Sequence, residues 1–364
     1  MLQHQGKMNS RERVYATLNG ERVDRPAYVD FPWPETVDRW KKEGMPDNVY
    51  LEDYFGMDIF LFGCDVSPKY EGILIERNER FDIIRDSFGV KMKVWRGRSG
   101  TPHPIEGVVS NVEEFKERIE PLLDPELPIR ITSSKYPFKY EIEKAIKGYQ
   151  EKFFVFGSLL GPFEYARHIL GESVDKILVY MYKDPKLIEY IFEKLGDFLG
   201  KMATALVNFG IDGIWVWDDI AYKNGPFFSP LSYERYVFKA HKKITSSARP
   251  KLNVVLHTDG NVTRLLPKII EAGFTVLQPL EAKAGMNVVE LNKLYGDKLA
   301  FIGNIDARVL SKSKEEIKKE FYEKVRVIRE GGRYIVSTDH SVPPDVSLEN
   351  YKFFINLVKE FKIQ

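Results

Sequence analysis

Short runs of apolar, β-branched or aromatic residues recur at 27–31, 58–62, 153–157, 213–217, 252–257, 275–279, 299–303 and 333–338, each followed by an amphipathic stretch. Strands buried on both faces of a parallel sheet read as continuous apolar runs rather than as alternation, and these runs have that form. From 153 onward helical periodicity fills the gaps, over 185–209, 230–246, 262–272, 288–295 and 314–329. Asp184-Pro185 and Ser229-Pro230 place a capping side chain before a proline, a helix start, while Gly273 and Gly331-Gly332 supply stops. Eight strands alternating with helices predict an α/β fold, the closed (β/α)8 or TIM barrel.

The regular alternation is interrupted at residues 71–152. The segment GILIERNERFDIIRDSFGVKMKVWRG alternates with a period of two and predicts an antiparallel hairpin; a helix near 111–119 and a proline-rich connection over 121–137 follow. This is expected to be an insertion at the barrel mouth, after the second strand, within a single domain spanning residues 1–364.

Charge narrows the partners. With 54 Lys and Arg against 53 Asp and Glu, the net charge of +1 creates no global field that draws nucleic acid or an anionic membrane. Cys64 is the single cysteine, which excludes an internal disulfide and any multi-cysteine zinc or iron–sulfur site. The segment MLQHQGKMNSRERV has no apolar core of a secretory leader, and no run of about 18 apolar residues exists to span a bilayer, so a cytoplasmic location is expected.

In such a barrel the strand C-termini converge on one face, where residues distant in sequence meet. Four potential metal ligands fall there: His257 and Asp259 in LNVVLHTDGN, Glu281 in FTVLQPLEA, and His340 in GRYIVSTDHS. His257 and Asp259 are two residues apart at the end of a buried strand and so share a side of the chain. Alone, a His-x-Asp pair is more often a packing histidine and a helix cap; groups at three strand ends change that balance. Two imidazoles and two carboxylates suit Zn²⁺ with an open position for a substrate oxygen, and the lack of thiolate also admits Fe²⁺ or Mn²⁺.

Asp218-Asp219 follows the aromatic strand in GIWVWDDIAYKNGPFFSP, and one of these carboxylates, with Asp219 favoured, is expected to orient a ligand or the substrate. Lys223, on the next loop, is a candidate for an acidic substrate group. Aromatic residues Phe31, Trp33, Phe156, Phe163, Trp215 and Trp217 lie near strand ends; most belong to the core, and a subset, Trp217 included, should line an apolar pocket. Asn304 and Asp306 in FIGNIDARVL either contact substrate or cap a turn. The chain has no G-x-S-x-G elbow, no P-loop and no strand-linked G-x-G-x-x-G, which leaves serine hydrolases, P-loop enzymes and dinucleotide binders without their required parts.

The segments LHTDGNV, QPLEAKAGMNV, FIGNIDARVL and GGRYIVSTDHSVPPDVSLENY, with RERVYATLNGERVDRPAY near the start, resemble the uroporphyrinogen decarboxylase superfamily. Within it they resemble the branch of cobalamin-dependent methyltransferases. The resemblance covers nearly the whole chain and implies a (β/α)8 barrel. Methyl-transferring relatives carry zinc on a His-x-Cys pair and a later Cys, in some with an intervening Glu. On this chain His257 matches the histidine, Asp259 the first cysteine, Glu281 the glutamate and His340 approximately the last cysteine. Both thiolates are thus replaced. An oxygen- and nitrogen-rich site is better suited to polarising an ether oxygen than to activating a thiol.

The resemblance therefore implies a metal-dependent methyltransferase that moves a methyl group from a small, methoxylated donor to the Co(I) of a corrinoid. The chain lacks an Asp-x-His-x-x-Gly corrinoid motif, so the corrinoid is expected on a separate partner protein. A homodimer is also implied. Two alternatives stand beside this reading. A decarboxylase of uroporphyrinogen requires an arginine-rich Arg-Gln-Ala-Gly-Arg type motif where this chain reads AYVDFPWPETVDRWKKEG, and Cys64-Asp65 falls near the catalytic aspartate's place without matching flanks. The other is a non-enzymatic protein that holds a corrinoid or other tetrapyrrole.

Overall fold

The computed structural model describes residues 7–97, 102–126, 130, 139–171, 174–248, 250 and 252–363. Seven parallel strands form one curled sheet in sequence order: β1 (Ile59–Gly63), β2 (Phe154–Leu160), β3 (Gly213–Trp217), β4 (Asn253–His257), β5 (Val276–Gln278), β6 (Ala300–Ile305) and β7 (Tyr334–Thr338). The first of the eight predicted runs, 27–31, lies between β7 and β1 and closes the ring. Val29 N donates to Val336 O at 3.1 Å, Val336 N to Ala27 O at 2.9 Å, and Asp58 N to Tyr28 O at 2.9 Å. Side chains take the ladder's next donors, Thr338 N bonding Asp30 Oδ1 at 3.1 Å and Tyr28 N bonding Asp58 Oδ2 at 3.0 Å, so the segment pairs as isolated bridges rather than as a full strand.

Inside the ring, alternation along each strand selects Ala27, Val29, Ile59, Phe154, Phe156, Trp215, Val255, Val276, Ala300, Ile302 and Ile335 for one buried cluster. The same alternation places the next inward positions at the C-terminal mouth. The opposite parity of each strand packs against the helices. Those begin as read: the Asp184 side chain accepts Leu187 N at 3.2 Å at the head of Pro185–Asn208, a cap that contributes about 1 kcal/mol.

The insertion differs from the expected hairpin. It is a four-stranded antiparallel sheet, Ile73–Arg77, Phe81–Arg85, Lys91–Trp95 and His103–Glu106. The Asn78 side chain accepts Arg80 N and Phe81 N at 2.9 Å, and that of Asp86 accepts Phe88 N at 3.0 Å and Val90 N at 2.9 Å, so side-chain-capped turns reverse the chain twice. The fourth strand is short, proline-containing and mostly exposed, and carries no alternation to read. Helix Val112–Arg118 follows with Asn111 as its cap. The proline-rich connection lies largely outside the described residues. Gly107 and Gly171 lock the insertion to the barrel: a Cβ on Gly171, at φ +76°, would sit 1.8 Å from Gly107 N.

Candidate metal centre

Three neighbouring strands end in one row. Trp217 of β3 pairs in register with His257 of β4, and His257 with Gln278 of β5. The His257 ring lies 4.3 Å from the Trp217 ring, centroid to centroid, and its Nδ1 is hydrogen-bonded to Gln278 Oε1. An amide oxygen only accepts, so Nδ1 carries the proton and the Nε2 lone pair is directed outward. From Nε2 it is 3.6 Å to Asp219 Oδ1 and 3.9 Å to Asp259 Oδ1. One ligand atom from each of these three residues lies within 4.8 Å of the others. His340 Nε2 approaches the other side of Asp259, 3.5 Å from Oδ2.

Local chain geometry produces this arrangement. Trp217 points into the barrel, so Asp218 points out, where it is fully buried; its Oδ1 accepts Glu164 N at 2.7 Å and its Oδ2 pairs with His241 Nε2 at 2.7 Å, while Tyr233 OH lies 2.8 Å from His241 Nδ1. Asp219 is thereby returned to the mouth, where its Oδ1 accepts Asp259 N at 2.8 Å. Thr258, between His257 and Asp259, is buried and accepts Ile220 N at 3.0 Å, tying the β3 and β4 loops together. At the end of β7, Thr338 Oγ1 donates to the His340 carbonyl at 2.6 Å and is also bonded to the buried Asp30 carboxyl.

The two central carboxyls are driven in opposite directions. Burial raises the pKa of Asp219, and the Asp259 charge adds to this against the pull of His257. Burial also pushes Asp259 upward, but the hydrogen bond from His340 and the charges of His257, His340 and Lys283 outweigh it and leave the pKa below its ordinary value. His340 gains in basicity through that hydrogen bond to Asp259. On the helix that follows β2, Pro162–Ile169, burial pushes Glu164 up to about 7 despite its ion pair with Arg167. The mouth is therefore rich in carboxylates whose ionisation a cation would favour.

Glu281 stands beside the cluster rather than in it. It is buried, its Oε2 accepts Gly260 N at 2.7 Å, and its Oε1 pairs with Lys283 at 3.0 Å. Asn304 is buried with its amide committed to the backbone: Nδ2 donates to Leu280 O at 2.8 Å and Met286 O at 2.7 Å, and Oδ1 accepts Val288 N at 2.9 Å. Its left-handed backbone, φ +67°, turns the side chain from the inward alternation toward the loop that it fastens. Asp306 caps a 3-10 turn and pairs with Arg308. Lys223 is exposed on the turn between two short strands, Ala221–Tyr222 and Gly225–Pro226. Cys64 is held up at about 12 by burial, and Asp65 closes a local turn onto Ser67 N and pairs with Lys69.

Sequence reasoning passed over Gln278, although Val276 and Gln278 share the inward parity of β5 and a polar residue at an inward strand end is a legible signal. It also passed over Asp30, Glu164, Arg167 and His241, whose roles depend on contacts between elements far apart in sequence.

A parallel barrel with an imidazole–carboxylate cluster at its strand C-termini defines a class in which chemistry is mounted at that face. The chain belongs to the uroporphyrinogen decarboxylase (URO-D) family, whose model matches residues 81–361. It is 26% identical over 213 residues to the uroporphyrinogen decarboxylase of Hydrogenobaculum sp. (strain Y04AAS1), covering 57% of this chain and 59% of that protein. To the methylcobamide:CoM methyltransferase MtbA of Methanosarcina acetivorans it is 26% identical over 314 residues, covering 81% of this chain and 82% of that protein. The matched length is 59% and 53% of the first two curated decarboxylases. In fold it is similar to a methyltransferase from Methanosarcina mazei, with a TM-score of 0.64 and 19% identity over 97% of this chain and 99% of that one. Among the described residues no helix is long and apolar enough to cross a membrane.

Proposed function

We propose that this protein is a metal-dependent methyltransferase that takes a methyl group from a small, methoxylated donor and delivers it to the Co(I) corrinoid of a separate partner protein. The observation that carries the proposal is the cluster of Asp219, His257 and Asp259 with His340 on its flank. Around a tetrahedral ion with ligands at about 2.1 Å, ligand atoms lie about 3.4 Å from one another. The separations of 3.6 and 3.9 Å at His257 Nε2 approach that spacing, and the donors are the nitrogen and oxygen types that zinc, iron or manganese accept.

Asp219, His257 and Asp259 are the proposed ligands, with His340 either completing the set or orienting Asp259. Glu281 keeps the Asp259 loop in place through Gly260 N. A divalent cation bound there would supply Lewis acidity to the donor's ether oxygen and make it a better leaving group. The chain's own contribution is positional. Trp217 offers an apolar wall next to His257, the closed ring below excludes water, and Lys223 on the exposed turn is the candidate contact for an acidic group on the donor or the partner.

The family match equally brings the decarboxylase reading, but a mouth that presents the paired carboxyls of Asp219 and Asp259 disfavours a substrate bearing many carboxylates. The test is elemental analysis of the purified protein beside His257→Ala and His340→Ala, followed by methylation of Co(I) cobalamin with methoxylated donors. The proposal expects about one zinc, iron or manganese per chain, lost in His257→Ala, and donor-dependent methylation. A protein that takes up no metal and binds free corrinoid tightly without a donor would instead be a carrier.

A further inference from the structure

We propose that Gln278 is the positioning residue of the cluster: its amide oxygen holds His257 in the tautomer whose Nε2 faces Asp219 and Asp259, and its neutrality leaves a bound ion strongly Lewis-acidic. This rests on the metal-site reading above. Gln278 is 3% exposed, and both its main chain and its side chain grip the HTD segment: its carbonyl accepts Thr258 N at 2.9 Å and its Oε1 accepts His257 Nδ1–H. Trp217 occupies the other side of the ring at 4.3 Å, so the Nε2 edge is the one presented to the carboxylates. The register, Trp217 to His257 to Gln278 across adjacent strands, places this support on hydrogen-bonded strands rather than on loops.

The chemical identity of the support matters as much as its position. Two ionised carboxylates and neutral imidazoles balance a divalent ion. A carboxylate at 278 would add a negative charge, draw the Nδ1 proton more strongly, make His257 a better donor and reduce the acidity of the ion. A leucine there would fill similar space but release the ring to either tautomer.

The test ranks Gln278→Leu and Gln278→Glu against the wild type by zinc competition with a chromogenic chelator, with His257→Ala as the control. Losing such a supporting hydrogen bond typically weakens metal binding by about 10- to 100-fold, the effect expected for Gln278→Leu, whereas Gln278→Glu should bind at least as tightly as the wild type and alter the visible spectrum of the Co²⁺-loaded site. A purely structural role predicts the reverse order, because a buried carboxylate costs more than a buried leucine. Nitrogen-15 spectra of the metal-free protein, recorded above the imidazole titration range, should show His257 protonated at Nδ1 in the wild type and a tautomer mixture in Gln278→Leu. Zinc binding by Gln278→Leu equal to that of the wild type, or an Nε2–H tautomer in the wild type, overturns the assignment. A wild type that binds no zinc removes the metal-site reading itself.

Discussion

Replacing Asp30 with asparagine tests the coupling between a buried carboxyl and the end of β7. Asp30 is fully buried, and burial pushes its carboxyl up to about 6 despite hydrogen bonds from Thr338 and Tyr351. The hydrogen-bond chain explains how the protonated form is accommodated. The Thr338 hydroxyl has one proton and touches both the Asp30 carboxyl and the His340 carbonyl; when Asp30 is protonated it can donate to Thr338, which then donates to His340 O. Because the folded pKa is raised above the unfolded value, the stability linked to this group is fully present below about pH 4 and is lost as pH rises through the folded pKa. A shift from 3.8 to about 6 corresponds to about 3 kcal/mol. Asparagine keeps the shape and does not titrate. Urea denaturation of wild type and Asp30→Asn across pH 4 to 7 should therefore show the wild-type advantage shrinking by about that amount, with the change complete just above the folded pKa. Parallel stability curves for the two proteins across that window would falsify the coupling.

Glu281→Gln should retain the wild-type metal content in elemental analysis, because Glu281 is engaged with Gly260 N and Lys283; loss of the metal would place it among the ligands. Gly303→Ala should be severely destabilising, by upwards of about 3 kcal/mol in a thermal melt, since the new Cβ would sit 1.7 Å from Pro279 O at φ +122°. Asp218→Ala should cost about 1–3 kcal/mol by leaving the buried His241 Nε2 and Glu164 N without their acceptor, read from the urea midpoint. A denaturation midpoint unmoved by that change would show that the pair is not what anchors the β3 loop. His257→Ala should remove bound metal while leaving the circular dichroism spectrum intact, because the His257 side chain stands at the mouth, outside the packed inner cluster.

Much of the barrel was legible because its signals are local. Seven of the eight apolar runs are strands of the sheet, and the 27–31 run meets it through isolated bridges because the Asp30 and Asp58 side chains take donors of the ladder. The helices 288–295 and 314–329 span the residues their periodicity predicts. The insertion was harder to read: its turns are closed by Asn78 and Asp86 side chains, and its last strand has no alternating pattern.

The sequence by itself determined which residue types stand at the strand ends, since a period of two puts His257 and Asp259 on one side and a glycine after them turns the chain. It also determined that no second cysteine exists to complete a thiolate site. Which carboxylates converge was decided only by the tertiary structure. Asp218 and Asp219 are neighbours of equal chemistry, yet the barrel wall sends one to His241 and the other to His257. Likewise Glu281 and Asn304, both plausible from position, are drawn into loop backbones that the sequence cannot show meeting them. The physical reason is that local periodicity sets the direction of a side chain, whereas the partner it finds depends on strand register and loop packing between segments distant along the chain.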